Sequence, residues 1–264
     1  MNVKSLLLLL CLATTVSAGP RIAVVDTGIG AHPELDKRVL AFRDATGTGS
    51  GDPHPRNHGT HVAGIAARMA PNADLLIAKV MDRNGRGRFE WVKKGIEWAV
   101  ERDADVINLS FGGTPDAGVE AAIRAAVKRG ILVIVAAGND SGGPVAFPAN
   151  LDCVFAVRAM DDAGYRAPFS NDGPEIRVSA PGVDVESCKA GGGYRKLSGT
   201  SMAAPWVAGV AARWVDAYPG EKETRPARFD RWLRLTAKRD MTPDLNAIGD
   251  VLLGGRGWDL RIRR

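Results

Sequence analysis

Cysteine is scarce in this chain: 3 of 264 residues, at positions 11, 153 and 188. So few thiols exclude a disulfide-dense scaffold, and a chain of this length can bury a sizeable core without one. Charge of one sign is not in strong excess either. Lys and Arg number 35 against 30 Asp and Glu, a mild surplus that implies solubility and excludes a nucleic-acid partner. Long apolar runs are confined to the first residues, and no other stretch could cross a bilayer. There is no internal repeat and no domain linker, so the chain reads as one large globular domain.

The first residues read as a targeting segment. Lys4 supplies a positive start, Leu6–Leu10 open an apolar run that reaches Val16, and Val16-Ser17-Ala18 is a small-residue cleavage site. That pattern predicts a signal peptide over residues 1–18, cut after Ala18, and an exported protein, secreted or periplasmic, with no membrane association after cleavage. Leu10 precedes Cys11 where a lipoprotein signal has a small residue, which argues against lipidation. Removing the leader leaves 34 basic against 30 acidic residues, a net of +4, and two cysteines, Cys153 and Cys188. The sequence leaves open whether these are bonded or are two buried free thiols, because geometry decides.

From residue 19 onward, Val/Ile/Leu-rich runs alternate with helical patterns. Strands are expected at 21–25, 75–80, 106–109, 131–136, 154–157 and 176–179. Helices are expected at 62–69, 89–101, 119–129, 201–217 and 227–238. Such alternation predicts an α/β fold: a mostly parallel central sheet with helices on both faces. Strands apolar at successive positions fit burial on both sides. Ligands in such sheets sit outside the carboxyl ends of the strands. Asp26, Ser110 and Asn139 each fall just after a predicted strand, so the sheet would bring them to one rim. Segments 44–56 and 140–144, rich in Gly, Pro and small polar residues, read as surface loops.

Three stretches carry chemistry: Val25-Asp26-Thr27-Gly28, Asn57-His58-Gly59-Thr60-His61 and Gly199-Thr200-Ser201-Met202-Ala203-Ala204-Pro205. In that order they supply an acid, a base and a nucleophile. A serine hydroxyl needs an adjacent base, histidine has the near-neutral pKa for that task, and a carboxylate on the other ring nitrogen stabilises the imidazolium. Ser201 opens an Ala-rich helix whose free N–H groups and dipole favour developing negative charge. Any one stretch alone has a bland reading: a turn aspartate, a loop histidine, an N-cap serine. His61, one turn beyond His58, reads as a packed structural histidine. Together, in the order Asp, His, Ser, the three stretches resemble the subtilisin-like serine endopeptidases (subtilases), and the resemblance runs from Arg21 to about Gly257.

The resemblance implies a three-layer sandwich of the subtilisin-like kind, Asp26, His58 and Ser201 as the catalytic residues, and no cofactor. It implies that Asn139, in Ala136-Ala137-Gly138-Asn139, joins the Ser201 N–H as oxyanion donor. Ser110, Phe111 and Gly112 would form one side of the pocket for the residue before the scissile bond (P1), and Ala136, Ala137 and Gly138 the other. Ala146 would close the base, and Phe147-Pro148 is a candidate cis bond. With no charge in these pieces, an apolar or aromatic P1 residue is expected. The partner implied is a protein or peptide substrate, met as a monomer.

Four departures stand out. Only Gly19–Val25 separate the expected cleavage point from Asp26, leaving no room for the family's usual propeptide. That implies unaided folding, a separate folding chaperone or inhibitor chain, or a pared-down gene. The segment 69–74 lacks the family's calcium loop, so no metal is expected. Trp206 stands where His is usual, and Arg158 where Gly is common. Rival readings fare worse. An aspartic protease needs a second Asp-Thr-Gly, and a zinc site on His58 and His61 lacks both the intervening Glu and a third ligand. A catalytically silent binding protein on the same fold is the alternative of another class.

Overall fold

A computed structural model describes residues 19–236 apart from 50, 53, 55 and 56. The expected signal peptide, Cys11, Lys238 and the Trp258–Arg264 tail lie outside the described residues. In chain order the elements are β1 (Arg21–Asp26), β2 (Val39–Asp44), α1 (His58–Met69), β3 (Asp74–Lys79), α2 (Phe89–Glu101), β4 (Val106–Leu109), α3 (Ala117–Lys128), β5 (Leu132–Ala136), β6 (Phe155–Met160), β7 (Ile176–Pro181), β8 (Val185–Cys188), β9 (Tyr194–Leu197), α4 (Thr200–Ala217) and α5 (Arg225–Thr236). Among the described residues no helix is long and apolar enough to cross a membrane.

Seven strands form one sheet in the order β2-β3-β1-β4-β5-β6-β7, and every adjacent pair is parallel. The expected α/β three-layer architecture is therefore what the chain adopts. Burial explains the apolar runs: every residue of β4 and β5 is inaccessible. On one face α1 and α4 cover the sheet, with Val62, Ala66, Val207 and Ala211 packed over Ile22, Val24 and Ile134. On the other, Val92 and Ile96 of α2 and Val119 and Ile123 of α3 lie over Ala23, Val25, Ile107 and Val133. Small residues set the approach of α1 and α4: a Cβ on Gly209 would sit 2.4 Å from Met69 Cβ.

The chain leaves β1 for β2 and β3 on one side and returns to β4 on the other. That reversal opens a crevice at the carboxyl ends of β1 and β4. The edge strand β2 and the antiparallel hairpin β8–β9 were not expected from the sequence. Strand β2 is half-buried or exposed throughout and β9 likewise, while β8 is largely buried but only four residues long, so none of them shows an apolar run. Cys153 and Cys188 are free and belong to different layers, Cys188 under α1 and Cys153 beside the α2–α3 layer. Burial, then the Glu34 carboxylate, pushes the Cys188 thiol up to about 12.

Candidate active site

Asp26 ends β1 and is buried, and His58 is the first residue of α1. The His58 Nδ1–H donates to Asp26 Oδ1 at 2.7 Å. The Thr27 N–H reaches the same oxygen at 2.7 Å. A carboxylate can only accept, so the bond places the proton on Nδ1 and leaves Nε2 as the basic nitrogen. The side chains are 1 % (Asp26) and 21 % (His58) exposed, a shielded acid behind an accessible imidazole.

Asp52, unremarked in the sequence, fastens the two elements together. Its Oδ1 accepts from Thr27 Oγ1 at 2.8 Å, and its Oδ2 from the Thr60 N–H and hydroxyl at 2.9 and 2.8 Å. Thr27 Oγ1 in turn accepts the Gly59 N–H at 2.9 Å. The threonines after Asp26 and His58 thus converge on one carboxylate. Lys79, buried at the end of β3, donates to the Gly49 carbonyl at 2.7 Å and holds the same loop. His61 is enclosed and gives its Nε2–H to the Arg195 carbonyl at 3.0 Å, the packing role expected of it.

Ser201 is the second residue of α4, after Gly199 at the N-cap. Its hydroxyl donates to the Ser110 carbonyl at 2.9 Å, while the Ser110 hydroxyl donates to the Ser201 carbonyl at 2.9 Å. Pro205 explains the second bond. It lies in the second turn of α4, four residues beyond Ser201, so the helix supplies no N–H to the Ser201 carbonyl. Ser110 supplies the missing donor. Asn108 Nδ2 donates to Ser110 Oγ at 2.9 Å and orients it. Ser110, expected to line the P1 pocket, therefore has its side chain turned to the Ser201 backbone. A lone amide in the apolar run Val106–Leu109 was the available signal for Asn108.

Asn139 follows β5. Its Oδ1 accepts from the Thr200 N–H at 2.9 Å and hydroxyl at 3.1 Å, so the donor end, Nδ2, is turned the opposite way. Gly138, not Asn139, takes the positive φ of 109°. The segments expected to line a P1 pocket lie against one another. Cβ atoms on Gly112 and Gly138 would lie 3.3 and 3.2 Å from Ala146 Cβ, so the Ala146 methyl sits between the two walls. The Ala146 N–H bonds the Ala137 carbonyl at 2.9 Å, and the Gly113 N–H bonds the Phe147 carbonyl at 2.9 Å. Phe111 is half-buried, Ala136 and Ala137 are enclosed, and Phe147–Pro148 is cis.

Behind this loop lies a second buried amide, Asn171, which carries no motif in the sequence. Beside it, Asp172 meets Arg158 Nη1 at 3.0 Å and Arg166 Nε at 3.8 Å, and Arg158 Nε donates to Ser179 Oγ at 2.7 Å. Arg158 thus ties β6 to β7 and to the 170–173 turn. Trp206 packs against the α1–α4 layer. After Met69 the chain passes directly through residues 70–73 into β3. Among the described residues no group of three or more His, Cys, Asp or Glu could hold a metal ion.

The chain is similar to known proteins. The thermostable alkaline protease of Halalkalibacterium halodurans is 47 % identical over 216 residues, covering 76 % of this chain and 58 % of that protein. The M-protease of Shouchella clausii is 36 % identical over 254 residues, 91 % of this chain and 62 % of its own length. Subtilisin BL of Lederbergia lenta is 35 % identical over 254 residues, 91 % of this chain and 88 % of that one. The chain thus spans about three-fifths of the first two. A cold-adapted subtilisin-like serine proteinase superposes with a TM-score of 0.77 at 29 % identity, covering 86 % of this chain and 85 % of its own. A protease from Pseudoalteromonas arctica gives 0.76 at 30 % identity, with 84 % of each chain covered. The profile of the subtilase family matches residues 17–250, a span that takes in all three motifs and every strand of the sheet, and the chain belongs to that family.

Proposed function

We propose that this protein is an exported serine endopeptidase that cleaves peptide bonds by acyl transfer through Asp26, His58 and Ser201. The observation that carries the reading is the 2.7 Å bond from His58 Nδ1 to the buried Asp26 carboxylate, which presents Nε2 as a base at the rim where α4 delivers Ser201. In the reaction the Ser201 hydroxyl turns from the Ser110 carbonyl to His58 Nε2, surrenders its proton and attacks the substrate carbonyl. Asn139 Nδ2 and the Ser201 N–H hold the oxyanion. His58 then protonates the leaving amine and activates the water that releases the acyl group. The relatives' names, alkaline protease and subtilisin, support the same reading.

The substrate is a protein or peptide whose backbone pairs with the 110–112 segment. Its P1 side chain enters between that segment and 136–139. The uncharged walls favour an apolar or aromatic side chain, and the Ala146 methyl between Gly112 and Gly138 trims the depth available. The test is fluorophosphonate labelling read by peptide mapping. One adduct on Ser201, lost in His58→Ala and accompanied by peptide hydrolysis that falls as pH drops through the imidazole range, is the expected result. A folded protein that takes no adduct and hydrolyses nothing would instead be a binding protein on this fold.

A further inference from the structure

Asn171 is wholly buried between β6 and β7, and its hydrogen bonds go to the loop that carries Asn139. Its N–H donates to the Gly138 carbonyl at 2.9 Å. Its Oδ1 accepts the Asp140 N–H at 2.6 Å. Its Nδ2 donates to the Pro144 carbonyl at 2.8 Å, to Asp140 Oδ2 at 3.1 Å and to the Ala137 carbonyl at 3.3 Å. Three of these contacts grip the residues on either side of Asn139, one at Gly138 and two at Asp140. A Cβ on Gly138 would lie 2.4 Å from Asn171 Nδ2, so the loop is pressed directly onto the amide. The next residue is anchored in turn: the Asp172 N–H bonds the Gly143 carbonyl at 3.1 Å, and its carboxylate is held by Arg158 and Arg166.

We propose that Asn171 is the positioning residue of the oxyanion donor, a buried amide that fixes the backbone on both sides of Asn139 and so fixes where Asn139 Nδ2 points. The inference rests on the proposed role of Asn139. A free loop would need only its glycines to turn, whereas one closed at five points by a single buried side chain and its N–H holds one geometry. The Arg158–Asp172 pair gives that side chain a fixed base, which accounts for an arginine on β6.

The experiment compares wild type, Asn139→Ala, Asn171→Ala and the double variant on peptide substrates. Affinity is also measured for a peptide aldehyde, whose hemiacetal oxygen needs the donor, and for the matching unreactive alcohol. Loss of one oxyanion donor costs about 10²–10³ in kcat, and Asn171→Ala is expected to reproduce a tenfold or greater part of that loss with KM and alcohol affinity within about twofold. Aldehyde affinity should fall with kcat, and Asn171→Ala should cost little more once Asn139 is alanine. Asn171→Ser, which keeps a small polar side chain but cannot span the contacts that the Nδ2 group makes to Pro144, Asp140 and Ala137, should show the same pattern and serves if the alanine variant does not fold. Additive losses, or a change carried by KM and P1 preference, overturn the proposal in favour of a pocket-shaping role. Absence of hydrolysis and labelling in the wild type would instead overturn the catalytic reading on which it depends.

Discussion

Acid should destabilise this protein through one histidine that has no part in the chemistry. His61 is enclosed, and its Nε2–H is committed to the Arg195 carbonyl. A further proton must therefore land on Nδ1, which has no hydrogen-bond partner among the described residues. Burial accordingly pushes His61 from 6.5 to about 4, with the Arg195 and Val185 backbones opposing and His58 acting in the same sense as burial. Between those two values the unfolded chain binds more protons than the folded one, so stability is complete above pH 6.5 and falls as pH drops towards 4. Each pH unit in that window removes about 1.4 kcal/mol, so the loss is about 2 kcal/mol by pH ~5 and about 3 kcal/mol by pH ~4. Urea unfolding of Ser201→Ala, chosen to prevent self-digestion, would be followed from pH ~7 to ~4 with and without His61→Gln. Glutamine keeps a donor near the Nε2 position and cannot ionise. The carboxylates titrate alike in both proteins, so the variant should lose about 3 kcal/mol less over that range, or roughly 6–12 °C less in Tm. Parallel losses in the two proteins would refute the reasoning.

Asn139→Ala should lower kcat by about 10²–10³ with KM little changed, as read by steady-state hydrolysis. Gly64→Ala on α1 would push a methyl to 2.4 Å from Ser187 Oγ and 2.8 Å from Cys188 Sγ. Such overpacking costs about 1–3 kcal/mol, so chemical denaturation should show a net loss that Cys188→Ala partly restores. Cys188, with its thiol pushed up to about 12 by burial, should resist alkylation in mildly alkaline buffer while the protein stays folded. Half-buried Cys153 should be modified first, as peptide mapping would report.

The central strands and the helices over them were legible because burial on both faces leaves a nearly continuous apolar record in β1, β4 and β5. The residues of the three motifs were legible because each sits at the end of a strand or the start of a helix. What escaped was long-range and polar. Asp52 lies in a loop with no periodicity, and its meaning appears only when Thr27 and Thr60 arrive from two other elements. Asn171 reads as an ordinary loop asparagine until the fold lays 137–144 across it. Arg158 looked anomalous because its partner, Asp172, is fourteen residues away. The β8–β9 hairpin escaped for another reason: its outer strand Tyr194–Leu197 alternates with solvent instead of facing a second layer.

The proline in α4 has a mechanical consequence. By withholding one intrahelical bond it leaves the Ser201 carbonyl to the Ser110 hydroxyl, a clasp that stays closed when the Ser201 hydroxyl turns to His58. The segment that would grip a peptide and the oxygen that would attack it are thereby bolted into one piece. On the proposed mechanism, the separation between attacker and target would then be set by that local bond and not by the sheet as a whole.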